Sequence, residues 1–311
     1  MRYAFIKTLA HIAARNPRVM LLTGDLGFTV FEGFRGRFPK QFINVGVAEQ
    51  NMMGVAAGLA LSGKIVVAYS IATFASMRPF EQIRNDIASH NASVVVVGTG
   101  AGLSYGHASI THHAIEDIAI MRTIPGMTIL CPGDPVEASW ATRQAIKLRR
   151  PVYLRLGMKG EPSLYTRKPN LTIGSGSILA KGKTVALVAT GNIVGNALAA
   201  THLLQKNHIH PTVVSMHTIK PFDEKLVRTL AASHRLIVTV EEHNVIGGLG
   251  SAVAEVLAQT KNPKAQLLRL GIPDRFVFEK GSQQYLRGIV GLSPEKIAKT
   301  IYGTFSHSSR T

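Results

Sequence analysis

The sequence predicts an α/β protein: two three-layer domains, each a mainly parallel sheet covered by helices. Short apolar runs rich in β-branched residues alternate with longer helical patterns. The alternation lapses once, over residues 157–183, where Gly, Pro, Ser and Lys dominate, and then resumes. The chain has 311 residues, 46% of them hydrophobic, enough to bury two cores and too many for a disordered chain.

The first half supplies strands at 19–25 (VMLLTGD), 64–70 (KIVVAYS), 93–99 (SVVVVGT), 127–134 (MTILCPGD) and 151–157 (PVYLRLG). These runs are continuously apolar rather than alternating, as strands covered on both faces are, and Gly, Pro or Asp bounds them. Helices are expected between them over 49–62, 79–90, 114–122 and 135–148. After the lapse, strands are expected over 184–191, 211–218, 235–242 and 265–272. Helices follow over 194–205, 223–232, 248–258 and 294–301. The chain therefore divides into a first domain (1–165), a linker (166–177) beside which a short hairpin fits, a second domain (178–305) and a loose tail (306–311).

Thirty-five Lys and Arg against 18 Asp and Glu give a formal charge of +17. Such a surplus draws anionic partners. Aromatic residues are only 6%, and the basic residues are scattered rather than striped with aromatics, which argues against nucleic-acid binding. The lone Cys131 excludes a disulfide framework and a cysteine zinc site, and suits a reducing compartment. The N-terminal stretch lacks a signal peptide's apolar core and cleavage site, and no apolar run is long enough to cross a membrane. The expectation is a soluble cytoplasmic protein with no membrane association.

Two glycine-rich loops, 98–106 (GTGAGLSYG) and 241–250 (EEHNVIGGLG), follow strands and so lie at the sheet edge where ligands bind. Neither has dinucleotide-binding spacing, and tight turns explain them more simply. His107, His112 and His113 share one loop. Adjacent residues on an extended segment point opposite ways, so this pair does not chelate one metal, and no metal site is expected in the chain. A positioned histidine can instead exchange a proton with a substrate hydroxyl. Glu49 opens a helix otherwise built from Ala, Gly, Met and Leu (NVGVAEQNMMGVAAGLALSG). It is either a first-turn acid favoured by the helix dipole or a buried acid with a raised pKa that shares a proton. Phe74 and Phe80, in ATFASMRPF, are either core residues or include a ring for stacking on a flat heterocycle.

Taken together, VGVAEQNMMGVAAGLAL, ATF, THHAIEDIAIMRTIPGMTILCPGDP, MHTIKPFD and EEHNVIGGLGSAVAEVL resemble the C-terminal half of the transketolase family of thiamine-diphosphate enzymes. The resemblance covers nearly the whole chain. It implies a pyrimidine-binding domain followed by a transketolase C-terminal domain. It implies that Glu49 hydrogen-bonds the cofactor's aminopyrimidine and promotes the imino tautomer that deprotonates the thiazolium carbon. Phe74 would stack on that ring, with Phe80 and Met77 lining the pocket and Asp25 close by. Arg2 and Arg155 would hold a substrate phosphate, Thr29 would add a hydroxyl, and His112 would meet the substrate near its reacting carbons. His107 and His113 would assist with hydroxyl protons.

The same resemblance implies transfer of a two-carbon ketol unit from a ketose to an aldehyde. Ala108 and Ser109 stand where the family carries an acid and a glycine, and Gly100 where it carries a phosphate-contacting histidine. The implied substrate is a sugar or sugar phosphate other than the usual pentose phosphates, such as a modified or nucleotide-linked sugar. The family's Gly-Asp-Gly motif, which binds the diphosphate through Mg²⁺, does not occur here. The Mg²⁺ ligands are therefore expected on a separate N-terminal subunit, in an α2β2 assembly. The alternatives are a 1-deoxyxylulose-5-phosphate synthase type and the beta subunit of a 2-oxoacid dehydrogenase.

Overall fold

The computed structural model describes residues 1–27 and 29–307. The last helix, Pro294–His307, runs past its expected end at 301. The rest of the expected tail, 308–311, lies outside the described residues.

Two sheets organise the molecule, as expected. In chain order the strands are β1 (Val19–Thr23), β2 (Phe42–Asn44), β3 (Ile65–Ile71), β4 (Val94–Thr99), β5 (Thr128–Leu130), β6 (Val152–Leu156), β7 (Ser177–Ala180), β8 (Val185–Thr190), β9 (Thr212–Ser215), β10 (Thr218–Lys220), β11 (Leu236–Asn244) and β12 (Gln266–Ile272). The first sheet has the order β10-β5-β6-β4-β3-β1-β2 and the second β12-β11-β8-β9-β7. Neighbours are parallel except β10 with β5 and β7 with β9. The continuous Val runs follow from this layout. β4 is buried along its whole length, with parallel neighbours on both sides.

Helix Pro135–Leu148 matches its expected bounds. Asp134 caps it by accepting from the Glu137 N–H at 2.7 Å, Pro135 opens it, and Arg149 closes it in the left-handed conformation. It packs with an N-terminal helix, Arg2–Ala13, that the sequence reading missed. Phe5, Leu9 and Ala13 recur every four residues along the face this helix buries. Other expectations shift. The helix expected over 79–90 begins at Phe80 and turns π-helical over Ile83–Ala88. The one expected over 114–122 begins at Asp117. The strand next to the linker, β7, pairs with β9 rather than closing a local hairpin. The single strand expected over 211–218 is two. β9 stays in the second sheet, whereas β10 crosses to pair with β5, Thr218 opposite Leu130. One apolar cluster accordingly runs from Met52, Ile83 and Ile129 to Val188, Ile219 and Val253.

Buried charges also join the two halves. Arg155 on β6 donates from Nε to Asp117 at 2.7 Å and from Nη2 to the carbonyls of Ala114 (2.9 Å) and Glu242 (3.1 Å). Tyr153 donates its hydroxyl to the same Asp117 oxygen at 2.6 Å. Burial alone would raise the Asp117 carboxyl, but the Arg155 guanidinium beside it prevails and holds it below the usual range. Glu242 on β11 takes the Leu103 N–H at 2.6 Å and pairs with Arg287. Arg155 was expected to hold a substrate phosphate. In this structure its side chain is 1% exposed and its Nε pairs with Asp117, while its Nη1 has no partner. Its Nη2 bond to Glu242 ties β6 to the second domain as a strut.

Replacing Arg155 with Met would strand Asp117 without its counter-charge. Unfolding in urea should show a loss of about 3 kcal/mol. A loss below about 1 kcal/mol, the range of exposed pairs, would contradict the buried-strut assignment.

Candidate functional site

The site lies at the carboxyl ends of the first sheet's central strands, the edge where open parallel sheets bind ligands. Glu49 is the first residue of helix Glu49–Leu61, and its side chain is 2% exposed. Its partners came from neighbouring elements. Ser70, near the end of β3, donates its hydroxyl to Oε1 at 3.0 Å. Arg78 donates from Nη1 to Oε2 at 2.8 Å. Gly24, just after β1, comes so close that an added Cβ would sit 3.3 Å from the Gly46 carbonyl and 3.6 Å from Oε1. A crevice of about 400 Å³ opens beside the acid, lined by Val47, Ala48, Glu49, Gln50, Asn51 and Arg78.

Phe74 sits on the one-turn helix Ala72–Ser76 that follows β3. The Arg78 guanidinium carbon lies 3.8 Å from the Phe74 ring centroid. His112 meets Phe74 edge-on, with ring centroids 5.0 Å apart, and Tyr105 meets His112 at 5.7 Å. Thr111 Oγ1 and His112 Nδ1 are 2.8 Å apart, which orients the imidazole. Burial, and then the positive Arg78, lower the His112 pKa. Arg2 opens the N-terminal helix, and its Nε is buried with no hydrogen-bond partner. Its charge opposes the rise that burial imposes on Tyr69 and Tyr105. The hydroxyls of Tyr69 and Thr99, near the ends of β3 and β4, are likewise buried, and Thr99 and Arg2 both act on the Tyr69 hydroxyl.

The structure thus brings Glu49, Phe74 and His112 together and sets Arg2 beside Tyr105, the ring that touches His112. Met77 lies half-exposed next to Arg78. Phe80 is different: it packs on the core cluster around Met52 and Ile83. Asp25 and Asn44 line an adjoining cleft of about 200 Å³ with Phe31, Glu32 and Arg35. Asn44 accepts the Asp25 N–H at 2.9 Å and donates to its carboxylate at 3.1 Å. Thr29 is exposed on the same loop, its N–H bonded to Glu32 at 2.7 Å.

His113 also requires correction as a substrate contact. It is 3% exposed, and neither ring nitrogen has a hydrogen-bond partner. Burial lowers its pKa, against the opposing pull of the Glu242 carboxylate. His107 remains exposed on the loop. The second domain steadies this loop: Ser109 donates to the Phe278 carbonyl at 3.1 Å, and the Gly281 N–H donates to the Gly106 carbonyl at 3.3 Å.

The glycine loops are packing devices. Gly100 has φ of 78°, and a Cβ there would collide with the Tyr105 ring. At Gly248 a Cβ would strike Glu241, whose carboxylate takes the Leu249 and Gly250 N–H groups at 2.7 and 2.8 Å. The acid itself fills the helix N-terminus that a phosphate would otherwise use. Among the described residues no three His, Cys, Asp or Glu side chains gather as metal ligands.

Sequence reasoning missed Arg78, Ser70 and Tyr105. Arg78 had a readable signal, because it stands four residues after Phe74, the spacing of neighbours on a helical turn. Ser70 and Tyr105 had none, since both contacts join elements distant in the chain.

A family model described as transketolase, pyrimidine binding domain, matches residues 1–159, and one described as transketolase, C-terminal domain, matches 174–297. A Methanocaldococcus jannaschii chain assigned as a transketolase C-terminal section is 41% identical, over 97% of this chain and 95% of its own. The 6-deoxy-6-sulfo-D-fructose transketolase subunit SqwH of Clostridium sp. (strain MSTE9) is 37% identical, over 97% and 93%. A split-gene transketolase solved as an inactive beta4 tetramer is 38% identical and superposes with a TM-score of 0.88 over 97% of both chains.

In the free chain His112 should titrate below the ordinary 6.5 in an NMR pH series. Arg78→Gln should move it upward, toward but not reaching that value, because burial persists. An unmoved titration would contradict the placement of Arg78.

Proposed function

The chain belongs to the transketolase family, and from that premise we infer that it is the C-terminal subunit of a two-subunit, thiamine-diphosphate-dependent transketolase. The single observation that carries the reading is a buried carboxylate, Glu49, facing the same guanidinium that lies over Phe74. That guanidinium tests the fit. A flat N–H donor has room on the Phe74 ring while bonded to Glu49, which is what an aminopyrimidine requires. No helix among the described residues is long and apolar enough to cross a membrane. The single, buried Cys131 suits a reducing compartment such as the cytoplasm.

When bound, thiamine diphosphate supplies a carbon nucleophile and an electron sink. The residues of this chain bind, orient and move protons around it. Glu49 would hold a proton at the ring nitrogen, its carboxylate oriented by the Ser70 hydroxyl. Phe74 would receive the flat ring, with Met77 nearby and Phe80 supporting from the core. Asp25 shapes the neighbouring cleft, where Thr29 offers a hydroxyl. His112, kept neutral near pH 7 by its lowered pKa, accepts a substrate hydroxyl proton and returns it. His107 lies within the same loop for the same work.

Arg2, with a buried unpaired Nε, holds the anionic group of the substrate. The substrate class is then a ketose and an aldehyde, at least one carrying a phosphate or a comparable anion. The missing acid at Ala108 and the Tyr105 ring over Gly100 favour a sugar other than the usual pentose phosphates. An N-terminal subunit would contribute the Mg²⁺ and diphosphate site in an α2β2 assembly.

Reconstitution with that subunit tests the reading. Glu49→Gln should reduce ketol transfer by about a hundredfold or more while the assembly stays intact by size-exclusion chromatography. Transfer at the original rate would overturn the assignment. Release of carbon dioxide from pyruvate, in place of ketol exchange, would reassign the chain to the synthase or dehydrogenase type.

A further inference from the structure

The pair that closes the crevice is lopsided. The Glu49 side chain is 2% exposed, while that of Arg78 is 46% exposed. Arg78 can return to water by rotating its own side chain, whereas Glu49 is fixed at a helix start. Without Arg78, Glu49 would keep a single donor, the Ser70 hydroxyl, for a buried charge. Something must therefore replace the guanidinium whenever it leaves.

The contacts Arg78 makes identify the replacement. Its Nη1 donates to Oε2, the oxygen that Ser70 leaves free. Its guanidinium carbon lies 3.8 Å from the Phe74 centroid. One planar cation thus makes the carboxylate contact and the ring contact that a flat nitrogen heterocycle would make. Arg78 lies between the helix Ala72–Ser76 and the buried Pro79, so its backbone is held while its side chain has solvent to move into.

We propose that Arg78 is a built-in stand-in for the cofactor's aminopyrimidine: it seals the Glu49–Phe74 crevice of the uncomplexed subunit and swings to solvent when the cofactor docks. This rests on the reading of Glu49 as the cofactor's proton-sharing acid. It adds a competition between a side chain and a ligand for one seat. The closed state lowers the apparent affinity by the fraction of open chains. Arg78 is a positioning residue that keeps Glu49 matched until the cofactor docks.

The test is calorimetric titration of the reconstituted assembly with thiamine diphosphate in saturating Mg²⁺, together with thermal melting of the free chain. If nine chains in ten are closed, Arg78→Ala should tighten the cofactor Kd by about tenfold. The free Arg78→Ala chain should melt at a lower temperature than the original, because Glu49 loses its donor. Arg78→Lys keeps the charge without the plane. It should also tighten binding, by less, and it carries the test if the alanine variant fails to assemble. An unchanged or weaker Kd in the folded variant would overturn the proposal and make Arg78 a cofactor ligand. An unchanged melting temperature would equally overturn it. If the original assembly takes up no thiamine diphosphate, the reading of the site fails, and the proposal falls with it.

Discussion

Four buried charges hold this molecule in its working shape. Asp117 and Arg155 belong to the first domain, and Glu242 and Arg287 to the second. Together they are neutral, which is the condition for keeping them out of water. They are also wired across the junction, since Arg155 reaches the Glu242 backbone and the Glu242 carboxylate takes the Leu103 N–H. That last bond pins the loop leading to His112. The second domain therefore does more than cover a face, because it fixes the loop that carries the imidazole.

The same logic governs the site. A buried carboxyl at the end of a parallel sheet needs donors aimed at it, and Glu49 has Ser70 and Arg78. Its surroundings are close on one side: a Cβ at Gly24 would sit 3.3 Å from the Gly46 carbonyl and 3.6 Å from Oε1, so a larger residue there would crowd the acid. Around this acid the protein places one aromatic ring and one imidazole. Elsewhere at the strand ends Arg2, Tyr69 and Thr99 face one another in the interior.

Much of the fold was legible. β1, β3, β4, β5, β6, β8, β11 and β12 fall on apolar runs that the sequence displays, and helix Pro135–Leu148 announces itself with Asp134, Pro135 and a final basic turn. β10 was not legible. Hydrophobic periodicity marks Thr218–Lys220 as buried but does not say in which sheet, and the chain crosses to β5. The Arg2–Ala13 helix was overlooked although its Phe5, Leu9 and Ala13 spacing was in plain view. Of the site, Glu49, Phe74 and His112 were named from motifs. Arg155 and His113, expected to meet substrate, are both buried here, because a resemblance in sequence gives identity and order but no depth.

By itself the sequence determined the alternation of strands and helices, the two-domain division and the presence of an acid at the start of an apolar helix. These are local: they depend on the composition and spacing of neighbouring residues. Only the tertiary structure decided which charges are struts and which face a cleft. Arg155 and Arg78 are the same residue type, each next to apolar neighbours, yet one is sealed between domains and the other stands half in water over Phe74. The difference lies in what packs on top of each side chain. That depends on contacts between residues far apart in the chain, and no short stretch of sequence encodes it.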